Sequence, residues 1–180
     1  LAEQPIVFDV NLEDNSIKMN YMNGSYRIFG QSANEYPRMK GLEGEATSTV
    51  LPSEVLINNI NRTLFATAQD ELRMVMNGLY FDLKEDYMAI VASDGHKLVR
   101  NRIYGSKTET PASFILPKKP ATLLRTVLAA DGSDVTIRFN QSNAEVIYND
   151  GMLSCRLIEG KYPNYNSVIP QDNPNRLTID

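Results

Sequence analysis

The chain has no tryptophan, one histidine and one cysteine among its 180 residues. Each shortage closes off a kind of chemistry. A single cysteine, Cys155, cannot build an internal disulfide framework, and its scarcity fits a reducing compartment. One histidine and one cysteine about 60 residues apart cannot supply a zinc tetrad, and no D-x-D-x-D-G loop offers oxygens to calcium. Neither G-x-x-x-x-G-K-[ST] nor G-x-G-x-x-G occurs, so the sequence offers no phosphate cradle for nucleotide hydrolysis. No apolar run approaches the roughly 18 residues that span a bilayer, and no charged start with an apolar stretch marks a signal peptide. No metal, cofactor or membrane partner is expected.

What is present is a repeating, mostly β pattern with 42% hydrophobic residues, enough for one sizeable core. Residues 6–11, 16–22 and 25–29 read as strands, with Asn23-Gly24 as a hairpin signal. Residues 135–140, 144–148 and 152–157 repeat that layout around Asn149-Asp150-Gly151. Each copy ends in Tyr-Pro, at Tyr36-Pro37 and Tyr162-Pro163. The hairpin glycines are 127 residues apart and the prolines 126. A shorter repeat joins Val50-Leu51-Pro52 to Ile115-Leu116-Pro117 at an offset of 65 residues, each ending a strand and opening a helix. The first helix has an apolar face of Leu56, Ile57, Ile60 and Leu64; the second, of Leu123, Leu124, Val127 and Leu128. Strands follow each helix, at 74–83, 87–93 and 97–104 in the first case. The expected fold is therefore α+β, a β-α-β-β-β unit used twice with two helices on antiparallel sheets. Such repetition points to stacking or ring-like assembly. Alternation puts Leu153, Cys155 and Leu157 on one strand face, so Cys155 is expected to pack in the core. The opening at Leu1 and the strand-like ending suggest a piece of a longer protein.

Three features bear on function. Ser93, Asp94 and His96 are triad residue types, but three neighbours in one turn cannot converge as nucleophile, base and orienting acid. Asp94-Gly95 reads instead as turn chemistry. The second helix carries Lys118, Lys119 and Arg125 with no acid between Lys118 and Ala130, a local +3 that leaves −7 of the net −4 to the remainder. Arg62 lies on the polar face of the first helix. These cations form either a solvated face or a sequence-independent, salt-sensitive contact with phosphates. Finally, Met74, Val75, Met76, Leu98, Pro163, Val168 and Ile169 cluster near turns. They belong either to the core or to an exposed patch that would accept a short apolar peptide.

Two motifs then sharpen the reading. Ala92-Ser93-Asp94-Gly95-His96-Lys97-Leu98 and Leu157-Ile158-Glu159-Gly160-Lys161-Tyr162-Pro163-Asn164-Tyr165 resemble the signatures A-[ST]-D-G-[HY]-[RK]-L and L-[IV]-[DE]-G-x-[FY]-P-[DN]-Y. These belong to the bacterial sliding-clamp family, the beta subunit of the replicative DNA polymerase. Phe65 to Arg73, Met76-Asn77-Gly78, Ile115 to Lys119 and Gly160 to Pro170 extend the resemblance across essentially the whole chain. The resemblance implies the DNA-clamp fold, in a non-enzymatic homodimeric ring of three domains per subunit that encircles duplex DNA. It implies a cytoplasmic bacterial protein at the nucleoid, with polymerase subunits, a clamp loader and repair proteins as partners. Residues 1–45 would close a first domain, 46–172 would form the middle domain, and 173–180 would begin the connection to a third. Partners would insert a Gln-Leu-x-Leu-Phe type motif into a groove formed by Arg73, Met76, Ser93, Gly95, His96, Lys97, Leu98, Pro163 and Val168. Lys118, Lys119, Arg125 and Arg62 would face DNA. Met74 and Val75 stand where tyrosines occur in other members, Lys97 where arginine is commoner, and Ser167 where an arginine is frequent. A piece of this length should not close a ring. The rival reading is a stand-alone β-rich protein-interaction module with no role at DNA.

Overall fold

The computed structural model describes residues 5–37, 41–105, 108, 110–149, 151–175 and 177–178. Asp150 of the second hairpin signal lies outside them. The chain divides into two units, Leu1–Met39 and Lys40–Asp180.

The first unit is an antiparallel meander of β1 (Val7–Asn11), β2 (Ser16–Tyr21) and β3 (Gly24–Phe29). The β2–β3 hairpin bends at Met22-Asn23, with Gly24 already paired to Tyr21, one residue earlier than the Asn-Gly signal predicts. Its register brings Phe8, Met19 and Tyr26 abreast, and beside them Val10, Ile17 and Ile28. Strand alternation therefore gathers six apolar side chains on one face, and Phe8, Val10 and Tyr26 are more than half exposed.

In the second unit the repeated elements are β4 (Thr47–Pro52), α1 (Ser53–Thr63), β5 (Gly78–Leu83), β6 (Tyr87–Ser93) and β7 (Leu98–Tyr104). The second copy comprises β8 (Ala112–Pro117), α2 (Lys118–Val127), β9 (Asp134–Phe139), β10 (Asn143–Tyr148) and β11 (Gly151–Arg156). The leading strands are exchanged. β4 pairs with β9 of the second copy, and β8 with β5 of the first, giving sheets ordered β11-β10-β9-β4 and β7-β6-β5-β8. Phe114 of β8 stacks on Phe81 at 4.6 Å and meets Phe139 at 4.3 Å, so the exchange is held by packed aromatics from three strands.

The main core combines Leu56 and Ile60 of α1, Ala121 and Leu124 of α2, and inward residues of both sheets. Counterparts of the open face of the first unit lie here: Val135, Ile137, Ala144 and Val146, 127 residues after Phe8, Val10, Ile17 and Met19, are buried. Cys155 packs against this core as expected, and burial pushes its thiol up to about 11.

Three expectations need correction. Leu123 and Val127 of α2 are 45% and 44% exposed, and Ala121 takes the core position instead. The run 74–83 is not one strand: Met74–Met76 is a 3-10 turn and β5 begins at Gly78. A Cβ on Gly78 would lie 2.5 Å from the Leu116 carbonyl oxygen, so the strand starts where the neighbouring backbone comes closest. No strand forms in the described part of 173–180.

β6 is buried along nearly its whole length because its sheet is covered on both faces. Met88, Ile90 and Ala92 face the main core, while Ala89 and Val91 face a second cluster with Ile115, Tyr162 and Tyr165. The segment after β11 thus lies across the outer face of β5 and β6, and it builds one wall of the site.

Candidate functional site: a groove between a turn and a strapped segment

The β6–β7 turn forms the first wall. Gly95 has φ +90, a left-handed conformation that favours glycine, while a Cβ there would press only on the movable guanidinium end of Arg73 at 2.5 Å. The Asp94 carboxylate accepts the backbone N–H groups of His96 and Lys97, each at 2.9 Å, and is paired with the Lys97 ammonium. The Lys97 ammonium, then the two N–H donors, hold its carboxyl well below the usual range. The Ser93 hydroxyl donates to the Lys97 carbonyl at 2.9 Å and accepts the Gly95 N–H at 3.1 Å. Ser93 and Asp94 are thereby committed to shaping the turn, and His96 stands exposed beside them.

The opposite wall is the segment from Leu157 to Pro170, fastened by its tyrosines. Tyr162 stacks on Tyr80 at 4.6 Å with the planes 4° apart. Tyr165 meets the same ring edge-on at 6.1 Å, and its hydroxyl donates to Asp82 Oδ2 at 2.8 Å. Asp82, 4% exposed, has Lys84 Nζ 3.0 Å from its other oxygen. Burial first, then the Asp82 carboxylate, pushes the Tyr165 hydroxyl far up, while hydrogen bonding to Asp82 raises Lys84. Burial pushes Tyr162 up to about 12, partly offset by the Ser93 backbone. Among the described residues, no group satisfies the Tyr162 hydroxyl in good hydrogen-bond geometry.

Between these walls lies a cavity of about 580 Å³. Met76, Ser93, Gly95, His96, Lys97, Leu98, Pro163 and Val168, eight of the nine residues expected at the groove, line it together. Arg73 lines an adjoining concavity with Phe65, Asp70, His96 and Lys118. Arg73 Nε donates to Asp70 Oδ2 at 2.8 Å and draws that carboxyl down, while Asn77 braces the Asp70 backbone. Met74 and Val168 are 63% and 66% exposed, so much of the apolar set near the turns is surface.

The nine expected groove residues leave out Arg100, Tyr162, Asn164, Tyr165 and Pro170, which also line the cavity, as does Ile169 of the apolar set near the turns. Arg100 follows Leu98 by two residues, so strand alternation was the signal for it. Asp82 gave none, since nothing local to β5 announces a partner 83 residues away.

The expected DNA-facing cations do not gather at one point. Lys118 and Lys119 form the first turn of α2, Arg125 its last turn, and Arg62 the last turn of α1. Lys119, Arg125 and Arg62 are exposed and Lys118 half-buried. Two cations at a helix N-terminus, with no acid in that turn, oppose the helix dipole by about 0.3–1 kcal/mol each. Their position is therefore not explained by helix stability. Among the described residues no helix is long and apolar enough to cross a membrane.

A family model described as the central domain of the DNA polymerase III beta subunit matches residues 50–164. The beta sliding clamp of Synechococcus elongatus is 28% identical over 178 residues, covering 96% of this chain and 47% of that protein. That of Borreliella burgdorferi is 32% identical over 123 residues, covering 67% and 31%. The crystal structure of the DNA polymerase sliding clamp from Bacillus subtilis superposes with a TM-score of 0.84 at 23% identity, covering 95% of this chain and 46% of that one. For the DNA polymerase III beta subunit from Thermotoga maritima the TM-score is 0.75 at 25% identity, over 91% and 44%. The chain spans about half the length or less of the curated relatives it matches. With its fold, its two motifs and its middle segment all matching, the chain belongs to the DNA polymerase III beta subunit family, the beta sliding clamps.

Proposed function

We propose that this chain is part of a DNA replication processivity factor whose groove holds linear motifs of polymerase and repair proteins. In this reading, residues 1–45 close a first clamp domain and 46–172 are the middle domain. Residues 173–180 lead towards a third, within a ring-forming homodimer that encircles duplex DNA. Lys118, Lys119, Arg125 and Arg62 serve as sequence-independent phosphate contacts. The protein works by binding rather than by catalysis, in the cytoplasm at the nucleoid.

The observation that carries the proposal is the convergence of eight expected residues on one cavity, between a rigid turn and a strapped segment. Its apolar members suit two aliphatic or aromatic side chains. Burying each would contribute about 1.5–3 kcal/mol before the cost of ordering the peptide. Weak binding, with Kd around a millimolar or somewhat below, is the expected scale for this chain alone. The rival reading, an interaction module with no DNA role, leaves the acid-free α2 with its unfavourable N-terminal lysines unexplained.

The test is an NMR titration of the chain with a peptide of the Gln-Leu-x-Leu-Phe type, followed at the lone His96 imidazole and nearby amides. Saturable shifts at Met76, His96, Leu98 and Val168 are expected, and should vanish when the peptide's second leucine and phenylalanine become alanine. Absence of shifts at millimolar peptide, in both this chain and a full-length clamp, would refute the groove.

A further inference from the structure

Arg100 has a place at the groove that none of its other cations shares. It lies on the same face of β7 as Leu98, lines the cavity and is half-buried. Its Nη1 donates to Asn166 Oδ1 at 3.0 Å, which fixes one arm of the guanidinium against the strapped wall. Lys97 is paired with Asp94, and Arg73, next door, with Asp70. Among the described residues, no carboxylate pairs with Arg100 and no acid lines the cavity. Asp82, beneath the wall, is already engaged by Tyr165 and Lys84. The guanidinium carries five donors in a rigid fork, and Asn166 takes one of them. A half-buried fork with free donors, in a cavity without acids, is complementary to a ligand carboxylate.

We propose that Arg100 is a specificity determinant of the groove, reading a carboxylate that the docked peptide carries beside its apolar anchors. The inference rests on the groove reading above and adds to it the charge of the preferred partner segment. Asn166 acts as a positioning residue, holding the fork against the wall so that little side-chain freedom is lost on binding.

The experiment uses the chain and four peptides of the Gln-Leu-x-Leu-Phe type, read by the same titration. One is neutral, with Asn at x. The others place Asp at x, before the Gln, or after the Phe. At least one acidic peptide should bind about five- to tenfold tighter than the neutral one, an advantage that shrinks as salt is raised. Arg100→Gln should abolish that preference, so that acidic and neutral peptides bind alike, whatever change it makes to the neutral peptide's own affinity. Arg100→Lys should keep part of it, and Arg73→Gln should keep it whole. A merely structural arginine would lower affinity for all four peptides alike. Equal binding of acidic and neutral peptides to the native chain would overturn the role of Arg100 and leave the groove standing. So would an acid preference that survives in Arg100→Gln. If no peptide of either charge shifts the groove resonances, the groove reading fails and the Arg100 proposal falls with it.

Discussion

Tyr165→Phe removes one hydroxyl and keeps the ring that meets Tyr80, so it isolates the hydrogen bond to Asp82. Asp82 is a buried carboxylate with two stabilising partners, and this change leaves it only Lys84, whose side chain is 44% exposed. A hydrogen bond to a charged group contributes about 1.5–3 kcal/mol, and the orphaned acceptor puts the loss toward the upper part of that range. For a unit of this size the loss corresponds to a fall in melting temperature of roughly 5–10 °C. Urea unfolding followed by circular dichroism and tyrosine fluorescence would measure it, with an unchanged m-value confirming that only stability has moved. Because Tyr165 helps hold the wall that carries Pro163 and Val168, peptide affinity should fall as well. The pH dependence gives a second check. The hydroxyl is raised in the folded state, so its contribution is complete below the unfolded tyrosine value near 10 and declines as pH rises beyond it. The gap between native chain and variant should therefore narrow above pH 10. A double-mutant cycle with Asp82→Ala should return a coupling of at least about 1 kcal/mol. A loss below about 0.5 kcal/mol, or no coupling, would show that the strap is not fastened at this point.

Lys119→Glu should raise the melting temperature of this chain by one to a few degrees, since it replaces an unfavourable charge at a helix N-terminus with a favourable one. The same change in a full-length clamp should weaken DNA association and flatten its salt dependence; a gain in both would refute the phosphate-contact reading. Cys155 should react with a disulfide reagent at least about tenfold more slowly than an unfolded cysteine near pH 8, because burial raises it to about 11 and the higher nucleophilicity of its thiolate offsets only part of the smaller thiolate fraction. Stopped-flow labelling with and without urea would measure the ratio, and equal rates would contradict its burial. Val10→Lys should cost this chain no more than about 0.5 kcal/mol, while Ile137→Lys, its counterpart 127 residues on, should cost about 3 kcal/mol or more. Comparable urea transitions for the two variants would show that the face around Val10 is covered after all.

Local signals carried much of this fold, and they stop where pairing becomes non-local. The two β-α-β-β-β copies were legible because their punctuation recurs: Leu51-Pro52 and Leu116-Pro117 before the helices, and hairpin glycines at Gly24 and Gly151. The exchange of β4 and β8 was not legible. Both strands alternate in the same way whether each pairs within its own copy or with the other, and what separates the two arrangements is contact across copies, such as Phe114 of β8 stacking on Phe81 of β5. The exposure of Leu123 and Val127 on α2 escaped for a related reason, since helical periodicity marks an apolar stripe without saying how wide the opposing surface is.

The groove divides along the same line. Its turn is local chemistry, in which Ser93, Asp94 and Gly95 satisfy their own backbone, so Asp94-Gly95 could be read from the sequence as a turn, while a place for Ser93 and Gly95 in a groove came only from the resemblance. Its other wall depends on Tyr165 reaching Asp82 across 83 residues and on Tyr162 stacking over Tyr80. Once the strap is seen, the double burial of β6 has a functional sense. A strand covered on both faces cannot shift without opening two clusters, so the turn that follows it is held rigidly against the opposing wall. That rigidity suits the proposed groove, in which a docked peptide would offer few apolar anchors. With only two side chains to bury, a wall that had to be ordered on binding would consume much of the available free energy.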